Sequence, residues 1–354
     1  MVKQIKFNGI DRLYDAYSWR LTRRAKRVWR SGNVLQGPEL ENLEKAFCKK
    51  YKRKYAVGVG SATDGLYFAM RALHLNKGST IICPALSYIA TAGAVRRLGA
   101  KLNFADVDAQ GNLGDLKLQQ KPQAIVYVNL YGNTADYTRI RKYCDENKAY
   151  LIEDAAQSQG ASIGSWPNKK LSGQLGDVSV FSFDPTKNLP SFGSGGMILT
   201  DSQDVYERLI SLRRHGLQGK RIPYGYNSLI SEDHAAQLNL LLDKFDSLQA
   251  KRTKIAERYF KNLPYEEFIR SNKNTTSSYH KLVILHDKRD HLQQYLATHG
   301  IETKIHYTNA LDAVGSYPEA EKICKRALSL PIYPYLSLGE VDYICERINR
   351  FNGV

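Results

Sequence analysis

The first candidate for chemistry is a lysine in an unusual setting. Lys187 lies in FSFDPTKNLPSFGSGGMILTD (181–201), a loop rich in proline and glycine between two predicted strands. A lysine amine can form a Schiff base with an aldehyde cofactor, and partial burial lowers its pKa so that the neutral amine acts as a base. A loop lysine that only improves solubility is the commoner case, so the meaning of Lys187 depends on its neighbours.

A carboxylate at a strand end is the second candidate. Asp154 closes the predicted strand YLIED, at the carboxyl end where open α/β sheets place groups that contact ligands. A carboxylate there can keep the nitrogen of a pyridine ring protonated, which makes the ring an electron sink. A helix cap and a metal ligand are the alternatives. The metal alternative is weaker, because no cluster of histidines and further carboxylates surrounds Asp154.

Two further segments are suited to a flat, phosphorylated ligand. GSAT (60–63) lies between a predicted strand and helix, where free backbone N–H groups and the helix dipole favour a phosphate. An ordinary N-cap by Ser61 or Thr63 is the alternative. The GxGxxG and GxxxxGK[ST] spacings are absent, so neither a dinucleotide site nor a P-loop is predicted. Tyr88 could stack on a planar cofactor, although core packing is the commoner use of tyrosine.

The elements that must position these residues alternate between strands and helices. Strands are predicted at 55–60, 80–86, 101–108, 124–130, 150–156, 178–183 and 196–201. Helical patterns begin at Thr63, span 89–99 and surround Ile140 and Tyr143. Such alternation is typical of a parallel sheet covered by helices, so an α/β sandwich with a mixed, mostly parallel sheet is expected.

The C-terminal part of the sequence has a different pattern of predicted elements. A long helical pattern at 231–263 is interpreted as a bridge to a second unit, with a strand at 279–285 and a loop at 328–337 before a final helix. A chain of 354 residues exceeds what one hydrophobic core usually organises. We therefore expect a large domain at 1–235 and a smaller α+β domain at 236–354.

The formal net charge of +16 is partly concentrated in segment 12–31. Apolar residues recur there at helical spacing, at Leu13, Tyr17, Leu21, Ala25 and Val28. The remaining faces carry Arg20, Arg23, Arg24, Lys26, Arg27 and Arg30. An amphipathic helix with a basic outer face is predicted; a merely solvated face and attraction of an anionic substrate or surface both remain open. Nucleic-acid binding is not favoured, since no zinc finger, RNP signature or heptad basic region is present.

Cysteine usage and hydropathy restrict the class of protein. The five cysteines are scattered without a CxxC pair, which argues against a disulfide framework and a zinc site. We expect them to be reduced and mostly buried. No stretch reaches the roughly 18 uncharged apolar residues of a membrane span, and the N-terminus lacks the apolar region of a signal peptide. A soluble, cytoplasmic protein is therefore expected.

Together these segments resemble the DegT/DnrJ/EryC1/StrS family of sugar aminotransferases that depend on pyridoxal 5′-phosphate (PLP). The resemblance follows the family's order over nearly the whole chain. It is carried by SGNVLQGPELENLEKAF, VGVGSATDGLYFAMRAL, CPALSYIATAGAVRRLGAKLNFADVD, LYGNTADYTRIRKYC, IEDAAQSQGA, FSFDPTKNL, LRRHGL, GYNSLISEDHAAQL, IHY and SLPIYPYLS. It implies the three-layer fold of the aspartate-aminotransferase type.

The resemblance also implies roles for individual residues. Lys187 would be the Schiff-base lysine, Asp154 the partner of the pyridinium nitrogen, and Tyr88 the ring that stacks on the cofactor. The other implied cofactor contacts are Ala62, Thr63 and Ser182 at the phosphate, Gln157 near the ring oxygen, and Asn227 at the phosphate of the neighbouring subunit. His306 and Tyr307 would approach the sugar nucleotide.

Three positions depart from the family's usual pattern. Asp184 replaces the histidine of the commoner FSFHPTK, and Ser194 stands where the family often has an acidic residue. Near the position of Leu229 the family often has an arginine. Because these positions would lie close to the substrate, the departures bear on which sugar is used rather than on PLP chemistry.

The implied activity is transfer of an amino group from L-glutamate to a nucleotide-linked keto-deoxysugar by a homodimer with shared sites. The amino sugar would serve lipopolysaccharide glycans or glycosylated metabolites. Two alternatives are a PLP-dependent sugar dehydratase, in which a histidine replaces the lysine, and a regulatory protein that keeps PLP without turnover. The presence of Lys187 and Asp154 argues against both.

Overall fold

A computed structural model describes residues 4–116, 121–134, 137–165, 167–220, 222–264, 267–272 and 274–353. The helices are α1 (Ile10–Ser31), α2 (Pro38–Tyr51), α3 (Ala62–Ala72), α4 (Ile89–Leu98), α5 (Tyr137–Asn147), α6 (Gln203–Arg213), α7 (Glu232–Asp243), α8 (Phe245–Asn262), α9 (Arg289–Thr298), α10 (Pro318–Arg326) and α11 (Leu338–Asn352). The strands are β1 (Tyr55–Val59), β2 (Thr80–Pro84), β3 (Lys101–Ala105), β4 (Ala124–Val128), β5 (Tyr150–Asp154), β6 (Ser162–Ile163), β7 (Lys170–Leu171), β8 (Val178–Ser182), β9 (Gly196–Thr200), β10 (Glu267–Phe268), β11 (Thr275–Thr276), β12 (Leu282–Leu285) and β13 (Ala327–Leu330).

A seven-stranded sheet in the order β1-β9-β8-β5-β4-β2-β3 forms the centre of the molecule. β9 pairs antiparallel with both neighbours, and the pairs from β8 to β3 are all parallel. The carboxyl ends of β1, β2, β4, β5 and β8 therefore meet at one edge of the sheet. This confirms the predicted mixed, mostly parallel sheet and places the candidate residues of separate segments at the same edge.

Each face of the sheet carries its own layer of helices. Alternate strand residues point to opposite faces, so Ile81 belongs to the apolar cluster that includes residues of α3, α4 and α6, whereas its neighbour Ile82 belongs to the cluster that includes Ile140 of α5. On the side of α5, the helices α1, α2 and α7 cover β8 and β9 around Phe181. The sheet with a helical layer on either face confirms the expected three-layer fold.

The C-terminal residues form a smaller α+β unit. Helices α8, α9 and α11 enclose a separate apolar cluster against the antiparallel sheet β10-β12-β13. The first residues of the predicted loop at 328–337 belong to strand β13, which is stabilised by pairing with the distant β12. Such a long-range partner is not visible in local sequence patterns.

The long helical pattern at 231–263 is divided into α7 and α8 at Lys244. The change of direction allows α7 to pack on α1 and α2 while α8 packs on α11. The apolar periodicity continues through the break because both helices bury leucines. The expected domain boundary between 235 and 236 falls inside α7 and stays a prediction.

The amphipathic character predicted for the N-terminal helix is confirmed. Leu13, Leu21, Ala25 and Val28 are buried in α1, and Tyr17 packs partly against the same cluster. The basic face is largely exposed. Within the described part of the chain, no helix combines the length and apolar character that crossing a bilayer requires.

Glu153 fixes the strand that carries Asp154. Its carboxylate is fully buried and accepts five hydrogen bonds of 2.7–3.0 Å. The donors are the side chains of Asn129, Ser172 and Ser179 and the backbone N–H groups of Gly173 and Leu175. One carboxylate therefore joins β5, β8 and the turn before β8.

We expect Glu153→Ala to lower the free energy of unfolding by about 3 kcal/mol or more, because several buried donors would lose their acceptor. Urea unfolding of the cofactor-free protein measures the change. Glu146→Ala, on the exposed face of α5 next to Lys142, is the matched control and should cost less than about 0.5 kcal/mol. A Glu153→Ala protein as stable as this control would contradict the structural role.

Candidate active site

A cavity of about 490 Å³ lies at the carboxyl edge of the large sheet. It is lined by ten of the eleven residues that the sequence singled out: Ala62, Thr63, Tyr88, Asp154, Gln157, Ser182, Asp184, Lys187, His306 and Tyr307. Asn227 does not line it; this residue is exposed and makes an isolated bridge to Arg214. The structure thus brings together residues that are up to about 245 positions apart in the chain (from 62 to 307).

Asp154 ends β5 and is 5% exposed. Its Oδ2 accepts a hydrogen bond from the Thr91 hydroxyl at 2.8 Å, and its Oδ1 accepts one from the backbone N–H of Ala156 at 3.2 Å. Burial raises the pKa of the carboxyl group, while these two donors and the charge of Lys187 act in the opposite direction. Among the described residues Asp154 has no ion-pair partner, so a cationic group in the cavity would stabilise its ionised form.

Lys187 lies in the loop between β8 and β9. Its backbone N–H donates to the Asp184 carbonyl at 2.9 Å, and the carboxylate of Asp184 accepts hydrogen bonds from the backbone and hydroxyl of Thr186. This tight turn directs the lysine into the cavity. Burial lowers the pKa of the Lys187 amine, and the charges of Asp184 and Asp154 oppose that effect. No ion pair or hydrogen bond of the amine is found within the described residues, which leaves it available for chemistry.

The turn between β1 and α3 forms a second wall of the cavity. The Ser61 hydroxyl caps α3 by accepting from the backbone N–H of Asp64 at 3.1 Å, so Ala62 and Thr63 occupy the first helical turn. Backbone N–H groups at such a helix start favour a phosphate. A Cβ at Gly196 would come within 2.8 Å of the Ala62 nitrogen, and only glycine permits this close approach of β9 to the turn.

Ser194 supports the same turn from the other side. Its hydroxyl donates to the Gly60 carbonyl at 2.8 Å. The Gly60 N–H in turn donates to Ser228 Oγ at 3.0 Å, and Ser228 donates to Asp64 at 2.7 Å. Ser194, a position where the family often has an acidic residue, therefore has a clear structural contact in this chain.

Gln157 connects the end of β5 to the C-terminal unit. Its Oε1 accepts from the backbone N–H of Tyr131 at 3.0 Å, and its Nε2 donates to the Tyr307 hydroxyl at 2.9 Å. Burial raises the pKa of Tyr307, so its phenol stays neutral at physiological pH. Tyr88, at the start of α4, is 61% exposed and presents its ring at the cavity mouth.

Sequence reasoning missed several residues that line the cavity. Thr91 lies one helical turn after Tyr88, and this spacing is a signal that could have indicated a partner for Asp154. Phe7, Lys281 and Lys304 also line the cavity; Lys281 lies in the predicted strand 279–285 and Lys304 directly precedes IHY, but neither segment's pattern pointed to these lysines.

The polar and charged groups of the cavity fit a phosphorylated pyridine aldehyde. The carboxylate of Asp154 lacks an ion-pair partner within the described chain, and the amine of Lys187 has a lowered pKa on the same cavity. The start of α3 and the hydroxyl of Ser182 supply polar groups for a phosphate. With the mixed seven-stranded sheet, these features define a PLP-dependent enzyme of the aminotransferase class.

Comparison with known proteins identifies the family. The sequence model of the DegT/DnrJ/EryC1/StrS aminotransferase family matches residues 19–349. A "pleiotropic regulatory protein" of Geobacillus stearothermophilus is 32% identical, with 96% of each chain covered. The dTDP-3-amino-3,4,6-trideoxy-alpha-D-glucose transaminase of Streptomyces venezuelae is 32% identical, with 92% of this chain and 90% of the relative covered. The chain belongs to the DegT/DnrJ/EryC1/StrS aminotransferase family.

A solved structure extends the similarity to the fold. The Bacillus subtilis protein NtdA, crystallised with bound cofactor PMP, superposes with a TM-score of 0.91 at 25% identity, covering 100% of this chain and 86% of that chain. The family and this cofactor-bound neighbour establish PLP as the cofactor of the present chain.

Proposed function

We propose that this protein transfers the amino group of L-glutamate to the keto group of a nucleotide-linked deoxysugar. The observation that carries the proposal is the presence of Lys187 and Asp154 on one cavity, in a chain whose relatives include a dTDP-sugar transaminase. The proposed product is an amino sugar for glycan or glycoside biosynthesis.

The residues of the cavity have different roles in the proposed reaction. Asp154 would hold a positive charge at the ring nitrogen of PLP, and the cofactor, when bound, would supply an electron sink. Lys187 Nζ removes the proton from the α-carbon of the donor and, in the second half of the reaction, returns a proton to the sugar carbon. The lowered pKa of Lys187 favours this role, because a neutral amine is required to accept the proton.

Other residues position the two ligands. The start of α3, with Ala62 and Thr63, binds the cofactor phosphate together with Ser182. Tyr88 would cover the cofactor ring at the cavity mouth, and Gln157 would lie near the ring oxygen. His306 and Tyr307 contact the sugar nucleotide, and Asp184, whose carboxylate is engaged by Thr186, borders the same space.

A regulatory function is the second candidate, favoured by the name of the Geobacillus relative. The two functions differ in turnover. The protein should be incubated with L-glutamate and a panel of nucleotide-linked 3-keto and 4-keto sugars, and the products should be identified by mass spectrometry. Conversion of one sugar to its amino derivative supports the proposal. No conversion of any sugar, together with no reaction of the bound cofactor with glutamate, would favour the regulatory function.

We also propose that the protein is a homodimer in which Asn227 contacts the cofactor phosphate of the opposite subunit. The exposure of Asn227 and its position outside its own cavity support this arrangement. Mixing inactive Lys187→Ala and Asn227→Asp proteins should then restore activity. One site of each hybrid would combine wild-type Lys187 from one chain with wild-type Asn227 from the other.

Random exchange of subunits should recover roughly a quarter of the wild-type sites. The Asn227→Asp protein should also bind PLP more weakly, because a carboxylate would face the phosphate. As the control, each variant is taken through the same subunit-exchange procedure without the other variant. Hybrids that stay inactive after subunit exchange is verified would contradict the shared site.

A further inference from the structure

A group of basic side chains lines the part of the cavity formed by the N-terminal segment and the C-terminal unit. Lys281 Nζ lies 5.0 Å and Lys304 Nζ lies 5.4 Å from the centroid of the Phe7 ring. The ring of His306 lies 5.6 Å from the same ring. All four residues line the cavity that contains Lys187.

Backbone contacts hold this group in place. The Phe7 N–H donates to the Glu302 carboxylate at 3.0 Å, which anchors the N-terminal segment next to Lys304. Lys304 exchanges two backbone hydrogen bonds with Ser329 of β13, at 2.9 and 3.1 Å. The Lys281 N–H donates to the Tyr131 carbonyl at 3.1 Å. The two ammonium groups are therefore brought together by fixed elements of the fold.

Within the described residues, neither Lys281 nor Lys304 makes an ion pair or a side-chain hydrogen bond. The carboxylates of Asp154 and Asp184 line the same cavity but accept hydrogen bonds from other groups. The burial of Lys281 and the nearby positive charges of Lys187, Arg252 and Lys304 lower the pKa of Lys281, and the negative charge of Asp184 opposes this effect. An anion at this position would relieve both the burial cost and the repulsion.

We propose that Lys281 and Lys304 form an anion subsite that binds a phosphate or carboxylate group of a substrate. This inference rests on the proposed function, in which both substrates are anionic: the sugar carries a nucleotide diphosphate, and L-glutamate carries a side-chain carboxylate. The subsite is distinct from the start of α3 and Ser182, which serve the cofactor phosphate. The buried ring of Phe7 lies within cation–π distance of both ammonium groups.

The test is a calorimetric titration of the PLP-loaded protein with two probes, inorganic pyrophosphate and glutarate, at constant ionic strength. Lys281→Gln and Lys304→Gln are compared with the wild type. Lys325→Gln, at the exposed end of α10, removes the same charge away from the cavity and is the matched control. Lys304→Arg keeps the charge. Thermal unfolding verifies that each variant is folded, and Lys304, which is exposed, provides a second test if Lys281→Gln is unstable.

We expect at least one probe to bind the wild type and Lys325→Gln equally, and to bind Lys281→Gln and Lys304→Gln at least ~10-fold more weakly, since hydrogen bonds to charged groups contribute about 1.5–3 kcal/mol. Lys304→Arg should retain most of the affinity. Loss confined to pyrophosphate assigns the subsite to the diphosphate, and loss confined to glutarate assigns it to the amino donor.

Equal affinities in Lys304→Gln and Lys325→Gln for both probes, or failure of both probes to bind the wild type, would overturn the subsite. These readouts do not depend on turnover. Binding with the expected losses in a protein that converts no keto sugar, and whose cofactor does not react with glutamate, would refute the proposed function while leaving the subsite intact.

Discussion

Replacing Lys187 with alanine should reduce the rate of transamination by about 10³-fold or more, since general-base and nucleophilic catalysis would be lost together. The structure explains the size of the effect. The Lys187 amine is the basic group with a lowered pKa in the loop between β8 and β9, and that loop directs it into the cavity with Asp154. Rapid mixing of the loaded protein with L-glutamate, followed by cofactor absorbance, measures the first half-reaction.

Borohydride provides an independent test of the same residue. Reduction of the loaded wild-type protein should fix the cofactor irreversibly on the peptide that contains Lys187, because the proposed Schiff base would join this amine to the aldehyde. Lys254→Ala, an exposed position on α8, is the control and should retain both the absorbance and the activity. Attachment of the reduced cofactor to another lysine would show that the central assignment is wrong.

The second large effect is expected for Asp154→Asn, which should lower the transamination rate by about 10²- to 10⁴-fold. An amide cannot hold the positive charge at the ring nitrogen as a carboxylate does, so the electron sink is weakened. PLP should still bind, because the substitution leaves unchanged the start of α3, where the phosphate is proposed to bind. Thr91→Val, which removes the hydroxyl that donates to Asp154 at 2.8 Å, should have a smaller effect in the same direction.

A measurement of the free energy of unfolding distinguishes the expected loss of transamination rate from misfolding. The pKa of Asp154 is raised in the folded protein, mainly by burial. A carboxyl group with a raised pKa costs folding free energy as the pH rises above its unfolded pKa, because the ionised form is disfavoured in the folded state. A neutral asparagine avoids that cost. The cofactor-free Asp154→Asn protein should therefore be at least as stable as the wild type at pH 7 in urea unfolding. A near-normal half-reaction in this variant would exclude the proposed role of Asp154.

The positions of the main catalytic candidates could be predicted from the sequence. Buried strands of a parallel sheet are continuous apolar runs, so the ends of the strands near Asp154 and Ser182 were visible as points where such runs stop. The glycine and proline residues around Lys187 marked a loop. The order of these segments matched a family, and that order implied the shared edge at which ten of the eleven candidate residues meet.

Other features depended on contacts between distant parts of the chain. β9 inserts antiparallel between β1 and β8, a pairing for which the local sequence gives no signal. Residues 327–330 form a strand because β12 lies beside them, although their apolar run precedes prolines that suggest a loop. The break at Lys244 arises because α7 and α8 pack on different partners.

The sequence by itself determined the type of fold, the family, and the lysine and carboxylate proposed to bear the chemistry, because each is encoded in local periodicity or in a short ordered motif. Only the tertiary structure decided which further charges share the cavity. Phe7, Lys281 and Lys304 belong to three segments whose own patterns do not indicate a shared cavity. The backbone pairing of residues 5 and 301, of Lys304 with Ser329 and of Lys281 with Tyr131 places both ammonium groups near the Phe7 ring. Electrostatic interactions act across space rather than along the chain, so the anion subsite became visible only in the folded molecule.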